Sequence, residues 1–83
     1  MFRTPMLHLN LWKHGIDRVP DTVWRQTDLE TLVLADNHLE NLPEEIGRLK
    51  KLRMLDLGHN RLTRVPDALG DLDCLIGSSG LMP

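Results

Sequence analysis

With 83 residues, the chain is long enough for one small domain. Its aromatic content is only 4% and tyrosine is absent, so the core has to be built from aliphatic side chains. The net charge of −2 argues against a nucleic-acid-binding or anionic-membrane surface, because both need a basic patch.

The first ten residues contain no long apolar stretch, so neither a signal peptide nor a membrane span is expected. Residues 1–5 are too short for a domain and are predicted to form an N-terminal stub. The single cysteine, Cys74, cannot form an internal disulfide. A reduced, cytoplasmic setting is therefore the expected localisation.

From residue 6 onward the sequence repeats with a period of 23 residues, in units 6–28, 29–51 and 52–74. A fixed period of this size indicates a repeat architecture. Residues 75–83 begin a fourth copy and then leave the pattern, so they are predicted to be an aborted repeat and a tail. The first copy departs from the others at two positions: His14 stands where they have asparagine, and Gln26 where they have leucine.

Each copy has the same predicted anatomy. Alternating leucines predict short strands over residues 9–12, 32–35 and 55–58, which would align as a parallel sheet. An inward polar residue follows in each copy, and its side chain is expected to bond the backbone of the turn and of the next copy. These three residues form a predicted structural ladder: His14, Asn37 and Asn60.

A proline then opens a helical turn at its first position in each copy, and acidic residues follow it. Two further aliphatic residues point inward, for example Ile46 and Leu49. In the first copy Trp24 replaces the glycine of the other two, and we expect its indole to cover the gap that Gln26 leaves.

These residues resemble the leucine-rich repeat family, in its LP-containing subtype of intracellular Ras-group proteins. The resemblance spans most of the chain. It implies an α/β fold, a solenoid of three complete coils with a short parallel sheet on the concave face and short helical or 3₁₀ turns on the convex face. It also implies protein–protein recognition through the concave face.

Strand alternation predicts the residues that line this face. The predicted partner-binding residues are His8, Asn10, Trp12, Lys13, Thr31, Val33, Asp36, Met54, Asp56 and His59, with the small residues Ala35 and Gly58 beside Trp12. An exposed tryptophan next to small residues is typical of an interface anchor; alternatively, Trp12 only covers the edge of the sheet. Lys13, Asp36 and His59 form one row, which is either a solvated charge ladder or part of the binding surface.

No cofactor, metal or catalytic site is expected. The four histidines His8, His14, His38 and His59 occupy four different positions of the repeat, whereas zinc needs three or four convergent ligands. Asp36 and His59 could pair, but no serine, threonine or cysteine lies in the neighbouring rows as a nucleophile. The chain is therefore predicted not to be an enzyme.

On the convex side, Arg25, Arg48 and Asp71 share one repeat position, and Lys50 is predicted to pair with Asp73. These charges either form ion pairs between coils or make the last coil an acidic surface for a basic partner.

A second function class is self-association. Uncovered ends would make the chain a homo-oligomer, as a repeat fragment or an engineered building block. The predicted contact residues at the C-terminal end are Leu55, Leu57, Leu75 and Ile76.

Overall fold

A computed structural model describes residues 8–72 and the backbone of residues 75–77. Four short strands follow one another in the chain and lie side by side in one parallel sheet, in the order β1-β2-β3-β4. They are β1 His8–Asn10, β2 Thr31–Val33, β3 Met54–Asp56 and β4 Leu75–Gly77. The predicted stub, Cys74 and most of the predicted tail lie outside the described residues.

The three predicted strands exist, but each begins one residue earlier and ends two residues earlier than expected. Asn10 and Asp56 explain the early ends of β1 and β3, because each accepts a hydrogen bond through its Oδ1 from the amide two residues on. This local turn competes with regular strand pairing. Backbone bonds between the repeats nevertheless continue, with Leu11 N–H donating to Val33 O at 2.8 Å.

The register of the first three strands confirms the repeat. Leu9 pairs with Leu32, and Leu32 pairs with Leu55, so equivalent positions of the repeat are neighbours in the sheet. The fourth strand breaks this rule. Leu75 pairs with Met54, whereas the sequence period places it beside Leu52. Strand β4 therefore pairs with β3 two residues earlier in the chain than the period predicts, while the predicted boundary of the third repeat at residue 74 stays a prediction.

On the other side of the core, each repeat has one short helical turn. They are the α-helical turn α1 Asp21–Trp24 and two 3₁₀ turns, Glu44–Arg48 and Asp67–Asp71. The prediction that proline is the first helical residue is wrong by one position. Pro20, Pro43 and Pro66 precede the turns with extended backbone, and each accepts the first turn bond through its carbonyl oxygen.

The core lies between the sheet and these turns and runs through all three repeats. Its members are aliphatic apart from Trp24, and eight of their side chains are fully buried: Leu29, Leu32, Leu34, Leu39, Ile46, Leu49, Leu55 and Leu57. Gln26 is half-buried, and its amide donates to Thr22 O within its own turn at 3.4 Å. Trp24 is 2% exposed, as a core role requires; that it fills space left by Gln26 stays a prediction.

Two of the four residues predicted for the self-association end, Leu55 and Leu57, are buried within the chain, and the contact itself stays a prediction. Leu55 and Leu57 have no exposed surface, and Leu62 and Leu69 are only 7% and 6% exposed. Strand β4 extends the sheet beyond β3, so β3 is not an edge strand. Within the part of the chain that the structure describes, no helix is long and apolar enough to cross a membrane.

Candidate functional site

We define the sheet face as the ten residues that alternation predicts to point away from the core. All ten are exposed or half-buried. The leucines in and directly after β2 and β3 are fully buried: Leu32, Leu34, Leu55 and Leu57. The sheet therefore brings the predicted residues together on one surface. Whether this surface binds a partner stays a prediction.

Trp12 is the most exposed large hydrophobic side chain among residues 8–72, at 51% of its surface. Its indole Nε1 donates a hydrogen bond to Asp36 Oδ2 in the next repeat at 2.7 Å. The ammonium group of Lys13 lies 5.5 Å from the centre of the ring, within the range of a cation–π interaction. Two contacts thus hold the ring in place although half of it faces solvent.

Ala35 and Gly58, the residues beside Trp12 in the same row, do not line the surface as expected. Ala35 is 5% exposed and Gly58 is also buried. Because neighbouring parallel strands lie about 4.8 Å apart, these small residues leave a shallow step next to the large ring. We call this step the tryptophan shelf.

The row of Lys13, Asp36 and His59 has an unusual backbone. Their φ angles are 57°, 58° and 56°, in the left-handed region that is unfavourable for residues other than glycine, asparagine and aspartate. The charge ladder expected along this row is not the observed arrangement. In the described residues Asp36 forms no ion pair with Lys13, because its carboxylate accepts the indole N–H instead.

The asparagine ladder lies directly after this row. Asn37 is 4% exposed, and its Oδ1 accepts from the His14 and Ile16 amides while its Nδ2 donates to Leu11 O and Leu34 O. Asn60 repeats this pattern with Leu39 N–H and Leu34 O. The partners outside the turn belong to the preceding repeat, so the expected bond to the next repeat is corrected.

His14 occupies the ladder position of the first repeat, but it is exposed and does not point inward as predicted. Its Nδ1 lies 2.9 Å from Trp12 O, which reproduces the bond from Asn37 Nδ2 to Ala35 O. The next residue, Gly15, has φ 69°, a conformation that glycine adopts without strain.

A groove of about 690 Å³ between the first two repeats lies near the helical turns. Its charged lining residues are Asp17, Arg18, Asp21, Glu40 and Glu45.

Two ion pairs on the surface join neighbouring repeats: Lys51–Asp28 at 3.2 Å and Arg53–Glu30 at 3.8 Å. Ion pairs between coils were predicted, with Lys51 near them, but these two partners, Asp28 and Glu30, were not named. Asp73 of the predicted Lys50 pair lies outside the described residues.

A second groove, of about 610 Å³, was not predicted. It follows the ends of the strands and is lined by Lys13, Gly15, Asp36, Asn37, His38, His59, Asn60 and Arg61. We call it the loop groove. Gly15, His38 and Arg61 share one position of the 23-residue repeat, which is the sequence signal that could have identified their side of the groove.

Across the described ranges, no three histidine, cysteine or acidic side chains lie close enough to hold a metal ion. Asp36, which the sequence suggested could pair with His59, accepts a hydrogen bond from the Trp12 indole instead. The geometry assembles polar and aromatic groups on one surface.

The comparison with known families agrees with this geometry. A family model described as leucine rich repeat matches residues 7–62 and, in a second alignment, residues 27–75. The comparison with curated proteins gave no match. Because the two family alignments together span most of the chain, the chain belongs to the leucine-rich repeat family.

Proposed function

We propose that this chain is a protein-interaction module that binds a protein or peptide through its sheet face, with Trp12 as the main anchor. Leucine-rich repeat domains generally mediate protein–protein interactions and are typically non-enzymatic. We further infer that the stacked repeats form a solenoid and that the sheet face is its concave side.

Trp12 carries this proposal. Interface anchors are enriched in tryptophan, and a ring that is already fixed loses little conformational freedom on binding. Asp36 and Lys13 hold the indole before any partner arrives. The tryptophan shelf offers a partner side chain the exposed half of the indole ring, beside the place where Ala35 and Gly58 are buried.

Self-association as a building block has less support. Its C-terminal contact was to include Leu55 and Leu57, whose surfaces are already buried within the chain. No other observation favours it, so the sheet face is the better candidate.

The proposal is tested by selecting peptides from a random-peptide phage library on the immobilised protein and titrating them by calorimetry. Trp12→Ala should weaken their binding more than about fivefold, corresponding to about 1 kcal/mol. Lys50→Ala is the control, because Lys50 is exposed next to the helical turn of the second repeat. Stronger weakening by Lys50→Ala than by Trp12→Ala would place the binding surface elsewhere.

Trp12→Phe refines the test. It keeps an aromatic ring but removes the bond to Asp36, so an intermediate loss of affinity is expected if the fixed orientation of the ring contributes. The same affinity as the wild type would mean that only ring area matters.

A further inference from the structure

The loop groove lies next to the sheet face and has a regular construction. In the second and third repeats, its lining consists of three consecutive residues with the ladder asparagine, Asn37 or Asn60, in the middle. One side is the row of Lys13, Asp36 and His59, with left-handed backbone, and the other is the row of Gly15, His38 and Arg61.

Cationic and imidazole groups predominate in this groove although the whole chain has a net charge of −2. Lys13 and Arg61 carry full positive charges, and His38 and His59 add two imidazoles. The ion pairs of residues 8–72 are Lys51–Asp28 and Arg53–Glu30, which leaves Lys13 and Arg61 without a carboxylate partner there.

Asp36 is the one carboxylate that lines the groove, and it already accepts the indole N–H of Trp12. Lys13 links the two surfaces, since it lines the groove while its ammonium group lies over the Trp12 ring. The anchor of the sheet face and the basic groove are therefore continuous.

We propose that the loop groove receives an acidic side chain of the bound peptide, and that an apolar side chain close to it in sequence packs on the tryptophan shelf. This inference rests on the proposed function and specifies the chemistry of its partner. Arg61 would donate hydrogen bonds to the carboxylate, and charge-assisted bonds of this kind are stronger than neutral ones. Complementary charge would also fix the direction in which the peptide lies.

The left-handed conformation recurs at the same position of all three repeats, at Lys13, Asp36 and His59. It is therefore part of the backbone of the repeat, and it places the three residues in one row along the groove.

The experiment compares the composition of peptides selected from the random-peptide library on four immobilised proteins. They are the wild type, the double variant His38→Ala/Arg61→Ala, Trp12→Ala and the control Arg48→Ala. The double variant changes two groove residues and leaves Lys13 over the Trp12 ring. The control removes an exposed arginine at the end of the second helical turn. Circular dichroism checks that each variant is folded.

Wild-type and Arg48→Ala pools should be enriched in aspartate or glutamate close to an apolar residue. The double variant should lose the acidic enrichment and keep the apolar one, whereas Trp12→Ala should lose the apolar one. In fluorescence anisotropy, replacing the selected acid by its amide should weaken binding to the wild type about tenfold and leave binding to the double variant unchanged.

Wild-type pools without excess acid, or the same excess on the double variant, would overturn the acidic partner. If those pools still depended on Trp12, the proposed function would stand and only the acidic partner would be withdrawn. Pools insensitive to Trp12 would instead remove the proposed function. Displacement of the peptide by an equal concentration of a single-stranded oligonucleotide would show a general polyanion surface and also overturn the inference.

Discussion

Single residues stabilise this protein where they satisfy backbone groups that the repeat leaves unpaired. The strongest case is Asn37, which is buried in the middle repeat and bonds five backbone groups of the preceding repeat and of its own turn at 2.9–3.2 Å. Because only 4% of Asn37 is exposed, water could not reach these backbone groups to bond them in place of the side chain.

Asn37→Ala should therefore lower the free energy of unfolding by about 1–3 kcal/mol, because buried donors and acceptors lose their partners. Asn41→Ala is the matched control, since Asn41 is exposed and should change stability by less than about 0.5 kcal/mol. Urea denaturation of both variants measures the difference. Equal destabilisation would contradict the role assigned to the ladder.

The helical turns of neighbouring repeats approach each other so closely that a methyl group decides the spacing. A Cβ built on Gly47 would meet the Cβ of Ala68 at 2.9 Å, closer than side chains pack. Gly70, at the same position of the next repeat, has nothing within 4 Å of such a Cβ. The two glycines are equivalent in sequence but not in their surroundings.

Gly47→Ala should accordingly destabilise the protein by about 1–3 kcal/mol through overpacking. Gly70→Ala, which has no positive φ to preserve, should be neutral or stabilise by about 0.4–1 kcal/mol, because alanine lowers the entropy of the unfolded chain. Thermal unfolding of the two variants tests this pair. Ala68→Gly should restore the loss in Gly47→Ala if the two methyl groups are its cause.

At the scale of the whole molecule, one continuous core joins the repeats. The buried cluster extends from Val19 in the first repeat to Leu69 in the third, and Leu9, Leu11 and Leu72 pack against it partly buried. Since each repeat buries its leucines against a neighbour, no repeat has a complete core of its own.

We therefore expect a single cooperative unfolding transition. Trp12→Phe leaves Trp24, buried in the first repeat, as the only fluorophore. Its fluorescence in urea should follow the same curve as far-UV circular dichroism, which reports on all repeats. A fluorescence midpoint at clearly lower urea would mean that the first repeat unfolds independently.

Much of this architecture follows from the sequence because its information is local and repeated. The alternation of leucines determines which side of each strand is buried, and the 23-residue period places Leu9, Leu32 and Leu55 in one row. Asn37 and Asn60 could be recognised because a polar residue at an inward position needs backbone partners. The sheet face was predicted by the same alternation.

Other features depend on contacts between repeats, which a period cannot specify. Asp36 could have paired with Lys13, and only the three-dimensional arrangement gives its carboxylate to the Trp12 indole. The exposed position of His14 and the register of β4 against β3 likewise appear only in the three-dimensional arrangement. The loop groove exists only once residues from three repeats are stacked. A repeated sequence thus determines each residue's place within its unit, whereas competition among neighbouring side chains for space and hydrogen bonds decides what that residue touches.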